Sequence, residues 1–164
     1  MASQKALDKA YIDIAYRWAE MSKARRLKVG CIVVKDGQII SDGFNGMPSG
    51  FDNNCEDELY TYDERDIAHE RHEWKFNAET NIFHRLKTKP EVIHAESNAL
   101  MKLARSTNSS VGSTMYITHD PCFPHCSKLI IQAGIIRVVY ATDYTPTREG
   151  IDLLRKAGII VEKI

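Results

Sequence analysis

Two short segments carry side chains able to hold a metal ion and to move protons beside it. One is His94-Ala95-Glu96; the other is Pro121-Cys122-Phe123-Pro124-His125-Cys126. Imidazole and thiolate suit a borderline-soft cation such as zinc. A catalytic zinc site takes three protein ligands and keeps a fourth position for water. His94, Cys122 and Cys126 make such a set. Zinc held this way lowers the pKa of a water to roughly 7. Glu96, a carboxylate outside the ligand set, can take that water's proton and pass it to a leaving amine. A structural zinc knuckle could be built from Cys122 and Cys126, but it has no use for Glu96 or for an open fourth position.

The elements around these residues must bring them together. Residues 122–133 are expected to form a helix stopped by Gly134, with both cysteines at its start, where the dipole favours thiolates. Their spacing of four keeps them on one helix face. Residues 94–106 also read as a helix. Two positions along a regular helix, Glu96 would point away from His94. The pair converges only if His94 sits in an irregular first turn, and Glu91-Val92-Ile93 reads as extended chain leading into it.

Elsewhere, residues 4–24 read as a helix capped by Ser3, with Leu7, Tyr11, Ile14, Ala15 and Trp18 on its buried face. Strands over 29–34 and 38–40 are joined by a hairpin turn at Asp36-Gly37, and residues 43–50 end regular structure. Strands over 113–118, 135–140 and 159–161 alternate with helices over 122–133 and 147–157. That alternation predicts an α/β chain with helices on both faces of a mixed sheet of about five strands, the later ones parallel. Residues 51–91 hold 11 of the 22 acidic residues and three of the six histidines. They are expected to be an ordered acidic insertion, with one helix around 66–85, within a single domain spanning 1–164.

Composition limits the partners. Apolar residues make up 43% and charged residues 27%, ordinary values for a globular protein. Lys+Arg 22 balance Asp+Glu 22, so no general attraction to nucleic acid or anionic lipid is expected. No apolar run approaches a membrane span, and the charged start lacks a secretory apolar region, so a soluble, cytoplasmic protein is expected. Four cysteines at these spacings do not read as a disulfide framework.

His-x-Glu followed by a Pro-Cys motif with a second cysteine is the pattern of zinc deaminases acting on nucleobases. The chain resembles the deoxycytidylate (dCMP) deaminases of the cytidine-deaminase-like superfamily. The likeness rests on HAESNAL (94–100), RRLKVGCIV (25–33), GFNGMPSG (43–50), TMYIT (114–118), CSKLIIQAGI (126–135) and RVVY (137–140). One departure is clear: three residues separate Cys122 from Cys126 where the family has two. His125 would restore the usual interval, so it stands as the alternative to Cys126 as third ligand.

The resemblance implies the three-layer α/β/α fold and hydrolytic deamination of dCMP to dUMP and ammonia, a step toward thymidylate. Water would attack C4 of the cytosine while Glu96 shuttles the proton to N3 and then to the ammonia. It further implies that Asn45 holds the deoxyribose or base, and that the Ala95 amide and the Cys122 turn meet the pyrimidine carbonyl. Arg26, Arg25 and Tyr144 would bind the 5′-phosphate. A homohexamer is implied, activated by dCTP and inhibited by dTTP, with magnesium on the triphosphate and an effector site near Gly43 and Gly46. Cys55, His69, His72 and Glu73 are candidates for a second, structural zinc such as some relatives carry.

Overall fold

In the computed structural model, residues 2–68, 71–144 and 148–164 are described. Helix α1 (Gln4–Ala19) leads into a hairpin of β1 (Gly30–Lys35) and β2 (Gln38–Phe44). The following segment carries β3 (Glu56–Thr61), a short 3-10 turn (Arg71–Glu73), β4 (Lys75–Asn77) and β5 (Ile82–Thr88). After it come α2 (Ala95–Ala104), β6 (Thr114–His119), α3 (Cys126–Gln132), β7 (Arg137–Thr142), α4 (Glu149–Lys156) and β8 (Ile160–Lys163).

The main sheet has the order β2-β1-β6-β7-β8. Its first two pairings are antiparallel and its last two parallel, the expected mixed sheet of five strands. Asp36 and Gly37 both take positive φ (51° and 75°), as a two-residue hairpin turn requires. Alternate residues feed two cores. Cys31, Val33, Met115, Ile117 and Val138 pack under α2, α3 and α4, whereas Ile32, Val34, Tyr116 and Val139 pack under α1. Burial on both faces explains why these strands are near-continuous apolar runs. The architecture is the expected three layers, α/β/α.

The segment between β2 and α2 departs from expectation. In place of a helix around 66–85 it forms a three-stranded antiparallel sheet, β3-β5-β4. Charged helix formers suggested the helix, but partners remote in sequence override that propensity: Glu56 pairs with Thr88 and Tyr60 with His84. Phe76 stacks on its partner Phe83, ring centroids 4.8 Å apart.

Helix α1 also differs. It ends at Ala19, not residue 24, and Ser22 instead bonds the Asn45 carbonyl (2.7 Å) and accepts from the Ala24 amide. Its buried face is Asp8, Ile12, Ala15 and Ala19, while Leu7 and Trp18 stay exposed. The helix is turned because Asp8 is anchored inside. Arg137 grips its carboxylate with two hydrogen bonds of 2.8 Å, and the Tyr116 hydroxyl donates a third at 2.7 Å. Arg137 holds the Asp8 carboxyl down at about 2 against the ordinary 3.8, worth about 2 kcal/mol. Because the folded-state pKa is depressed, that stability is present above the ordinary carboxylate range and is lost as pH falls through the folded value. Asp8→Asn is therefore expected to lose about 2 kcal/mol at neutral pH. Urea unfolding should show the gap from the parent protein narrowing as pH drops below about 4.

Candidate metal centre and active site

The site begins with how α2 meets the sheet. A Cβ on Gly43 would lie 2.1 Å from the Ala95 carbonyl oxygen, so only glycine lets the first turn of α2 rest on β2. Asn98 donates to the Phe44 carbonyl (2.8 Å) and Ser41 to that of Ala99 (2.7 Å), fixing the helix along the strand. Upstream, Gly46 and Ile93 exchange two backbone hydrogen bonds, 3.1 and 2.9 Å. That bridge delivers His94 in extended conformation (φ −71°, ψ 156°) as the N-cap of α2. His94 thus lies outside the regular helix, the condition its convergence with Glu96 required.

The cysteines arrive from the far end of β6. Only Cys126 is helical, as the first residue of α3; Cys122 lies in the preceding turn, so a shared helix face does not bring them together. Pro124 explains the correction, since it disfavours helical conformation at Phe123. The turn folds back instead, with the Ser127 amide and hydroxyl both donating to the Cys122 carbonyl (3.1 and 3.2 Å). Gly150, in the first turn of α4, backs it: a Cβ there would lie 2.2 Å from the Pro121 oxygen.

The candidate ligand atoms of His94, Cys122 and Cys126 lie within 4.8 Å of one another, the one such trio among the described residues. His94 Nδ1 stands 3.5 Å from the Cys122 sulfur and 3.2 Å from that of Cys126. One imidazole nitrogen and two sulfurs suit a zinc ion and leave room for a fourth ligand. The neighbouring Cys126 and His94 push the Cys122 thiol down to about 3, which favours its thiolate, while Cys122 and burial push the Cys126 thiol up. A divalent cation displaces the remaining protons. His125 is not in the trio. It stands at the N-cap position of α3 without a side-chain capping bond, its ring edge-on to His94 with centroids 6.2 Å apart, and the residue that gathers with His94 and Cys122 is Cys126.

Glu96 is buried beside the trio, and burial raises its proton affinity. It opens on an inner cavity of about 180 Å³ that also reaches Asn45, Ala95, His119, Arg26 and Tyr144. Asn45 is braced, donating to the Leu27 carbonyl (2.8 Å) and accepting from the Val29 amide (2.9 Å). Burial lowers the proton affinity of His119, at the end of β6. Arg26 and Tyr144 also line an outer cavity of about 700 Å³, to which Arg25 belongs; Arg25 does not reach the inner one. Gly46 is open on its Cβ side, whereas the space at Gly43 is filled by α2.

The 51–91 segment supplies residues that sequence patterns did not single out for this site. Arg85 on β5 lines the outer cavity, and the Glu73 carboxylate bridges it to Arg26, at 3.0 and 2.6 Å. Glu56 is buried at the start of β3 and borders the inner cavity. Nothing in a run rich in acidic residues marks one of them as interior. Of the candidate second zinc set, Cys55, His72 and Glu73 do not gather into a ligand group among the described residues, and His69 lies outside them.

A family model described as the cytidine and deoxycytidylate deaminase zinc-binding region matches residues 5–142. The chain belongs to this family of zinc-binding deaminases. The deoxycytidylate deaminase of Enterobacteria phage T4 is 36% identical over 92% of this chain and 86% of its own. The human deoxycytidylate deaminase is 36% identical over 81% of this chain and 63% of its own. The dCMP deaminase of cyanophage S-TIM5, solved with dCMP and dUMP, superposes with a TM-score of 0.76 at 38% identity, covering 99% of this chain and 100% of that one.

Purified protein is expected to carry one zinc per chain by elemental analysis. Cys122→Ser and Cys126→Ser should each lose most of it, whereas His125→Ala should retain it. Gly150→Ala, by pushing on the Pro121 carbonyl, should lower zinc affinity at least tenfold in a chelator competition, within the range seen when groups supporting metal ligands are altered.

Proposed function

We infer that this chain is a zinc-dependent dCMP deaminase, converting dCMP and water to dUMP and ammonia. One observation carries the reading: a single cavity is lined by His94 and Cys122 of the metal-binding trio, by the buried Glu96 and by Arg26. A pyrimidine at one end and a 5′-phosphate at the other fit that polarity. The high coverage by the phage deaminases supports the same substrate.

When bound, zinc makes a water nucleophilic at neutral pH. The water oxygen forms a bond to C4 while Glu96 takes its proton and delivers it to N3. A second proton, from the same oxygen, passes through Glu96 to the exocyclic nitrogen. The C4–N bond then breaks, ammonia leaves, the oxygen remains as the uracil carbonyl, and Glu96 is returned to its starting state. Burial suits Glu96 to this work, because it raises the carboxylate's affinity for the proton it must carry. The Ala95 amide, in the first turn of α2 and outside the helix's own hydrogen-bond ladder, is assigned to the pyrimidine carbonyl together with the Cys122 turn. Asn45 is assigned to the sugar or base.

Arg26 and Tyr144 are assigned to the phosphate, with Arg25 contributing from the outer cavity. Glu73 now occupies the Arg26 guanidinium, and a phosphate with its bidentate acceptors would displace it. Regulation by dCTP and dTTP with magnesium is proposed at the open side of Gly46, within a homohexamer. Exposed apolar side chains on and just after α1, among them Trp18 and Met21, favour assembly with other copies. Among the described residues no helix is long and apolar enough to cross a membrane. A cytoplasmic enzyme of nucleotide supply is proposed.

Ammonia release from dCMP, CMP and deoxycytidine in parallel tests the reading, with dCMP expected to be preferred. Glu96→Ala should lower kcat for dCMP by about a thousandfold with zinc retained. Arg26→Ala should lower kcat/KM for dCMP about 10- to 100-fold and leave slow deoxycytidine turnover unchanged. Preference for deoxycytidine in the parent protein would overturn the phosphate assignment. Added dCTP with magnesium should lower the half-saturating dCMP concentration, and dTTP should raise it.

A further inference from the structure

Glu56 is only 1% exposed, yet it borders the inner cavity. One carboxylate oxygen, Oε1, is fully used: it accepts the backbone amides of Arg25 (3.0 Å) and Arg26 (3.1 Å). The other, Oε2, is buried and has no hydrogen-bond partner among the described residues; its nearest cation is Arg25 Nε at 3.8 Å. A buried carboxylate oxygen can only accept, and leaving it without a donor is costly. A ligand in the cavity is the natural source of that donor.

The cavity's two ends narrow the choice. Where Glu96, His94 and Cys122 line it, the cavity takes the reacting edge of the base, where the exocyclic amine belongs. At the other end, Arg26 and Tyr144 meet the phosphate, from which a carboxylate must be kept away. Glu56 pairs with Thr88 across β3 and β5, holds the backbone of Arg25 and Arg26, and lines the same cavity as Asn45, the residue assigned to the sugar or base. The part of a deoxynucleotide lying between base and phosphate is the sugar, and its one hydrogen-bond donor is the 3′-hydroxyl.

We propose that Glu56 reads the sugar, with Oε2 accepting a hydrogen bond from the 3′-hydroxyl while Oε1 holds the Arg25-Arg26 backbone in place. The segment between β2 and α2 would then supply a specificity residue for the reaction. This assignment rests on the deaminase reading, and it is tested separately from the identity of the phosphate end.

The test compares kcat/KM for dCMP, its 2′,3′-dideoxy analogue and its 3′-deoxy-3′-fluoro analogue, which keeps an acceptor but has no donor. The same three sugars are run as free nucleosides, so the question is answered in whichever series the enzyme turns over. The parent protein is expected to disfavour both analogues by roughly 10- to 100-fold, as for loss of a hydrogen bond to a charged acceptor. In Glu56→Gln, which keeps an oxygen for the two amides, that discrimination should shrink about tenfold while dideoxy turnover is retained. Equal use of dCMP and the fluoro analogue by the parent protein would overturn the proposal, whether or not the variant folds. So would a Glu56→Gln protein that loses activity equally on all three sugars, which is the result expected if Glu56 only braces Arg25 and Arg26.

Discussion

Three ligand atoms within 4.8 Å of one another, drawn from two separate stretches of chain, set the demand that the rest of the molecule meets. One stretch is the start of α2 and the other the turn after β6, and neither can reach the other unless each is pressed close to its support. Two glycines permit this. Gly43 lets α2 lie directly against β2, and Gly150 lets α4 close on the Pro121 carbonyl behind the cysteine turn. At both positions a methyl group would meet backbone rather than a flexible side chain, so the conflict could be relieved only by moving the elements that carry the ligands.

The parallel half of the sheet and its antiparallel half contribute differently to the centre. β6 and β7 run parallel, and their C-terminal ends open a crevice where His119, Asp120 and the Cys122 turn lie, the usual place for a site on such a sheet. The antiparallel β1–β2 hairpin contributes the other wall. Its exit strand leads through Asn45 and Gly46 to the bridge with Ile93 that sets the angle of His94. The site therefore sits on the seam between the two halves, with rigid strands on both sides.

Charge is arranged along the same line. The inner end carries the cysteines and the buried Glu96, whereas the mouth presents Arg25, Arg26 and Arg85. These cations are held by Glu58 and Glu73, so they stay in place without a ligand yet meet an anion that can compete for them. The segment between β2 and α2 is what supplies Glu56, Glu58, Glu73 and Arg85. Its acidic composition thus has a structural use: carboxylates pin and align guanidiniums at the entrance.

Local chemistry and periodicity were enough to read much of this from residues alone. The ligand types at 94, 122 and 126, the carboxylate at 96, the Asp36-Gly37 hairpin and the alternating last third each depend on near neighbours in sequence. The irregular placement of His94 also followed, because a regular helix could not have joined it to Glu96. What local patterns misread depended on distant partners. The face of α1 turned on Asp8 meeting Arg137, the small sheet on β3 finding β5, and the cysteine turn on Pro124 interrupting a helix that spacing alone suggested. That Cys126 and not His125 gathers with His94 and Cys122 was decided by the turn's path in space, since both residues carry acceptable donors. Glu56 marks the limit most clearly: in sequence it is one acid among many, and only folding buries it in the cavity wall with one oxygen left without a donor. Residue type determines what chemistry is available, but burial and convergence are properties of the folded chain.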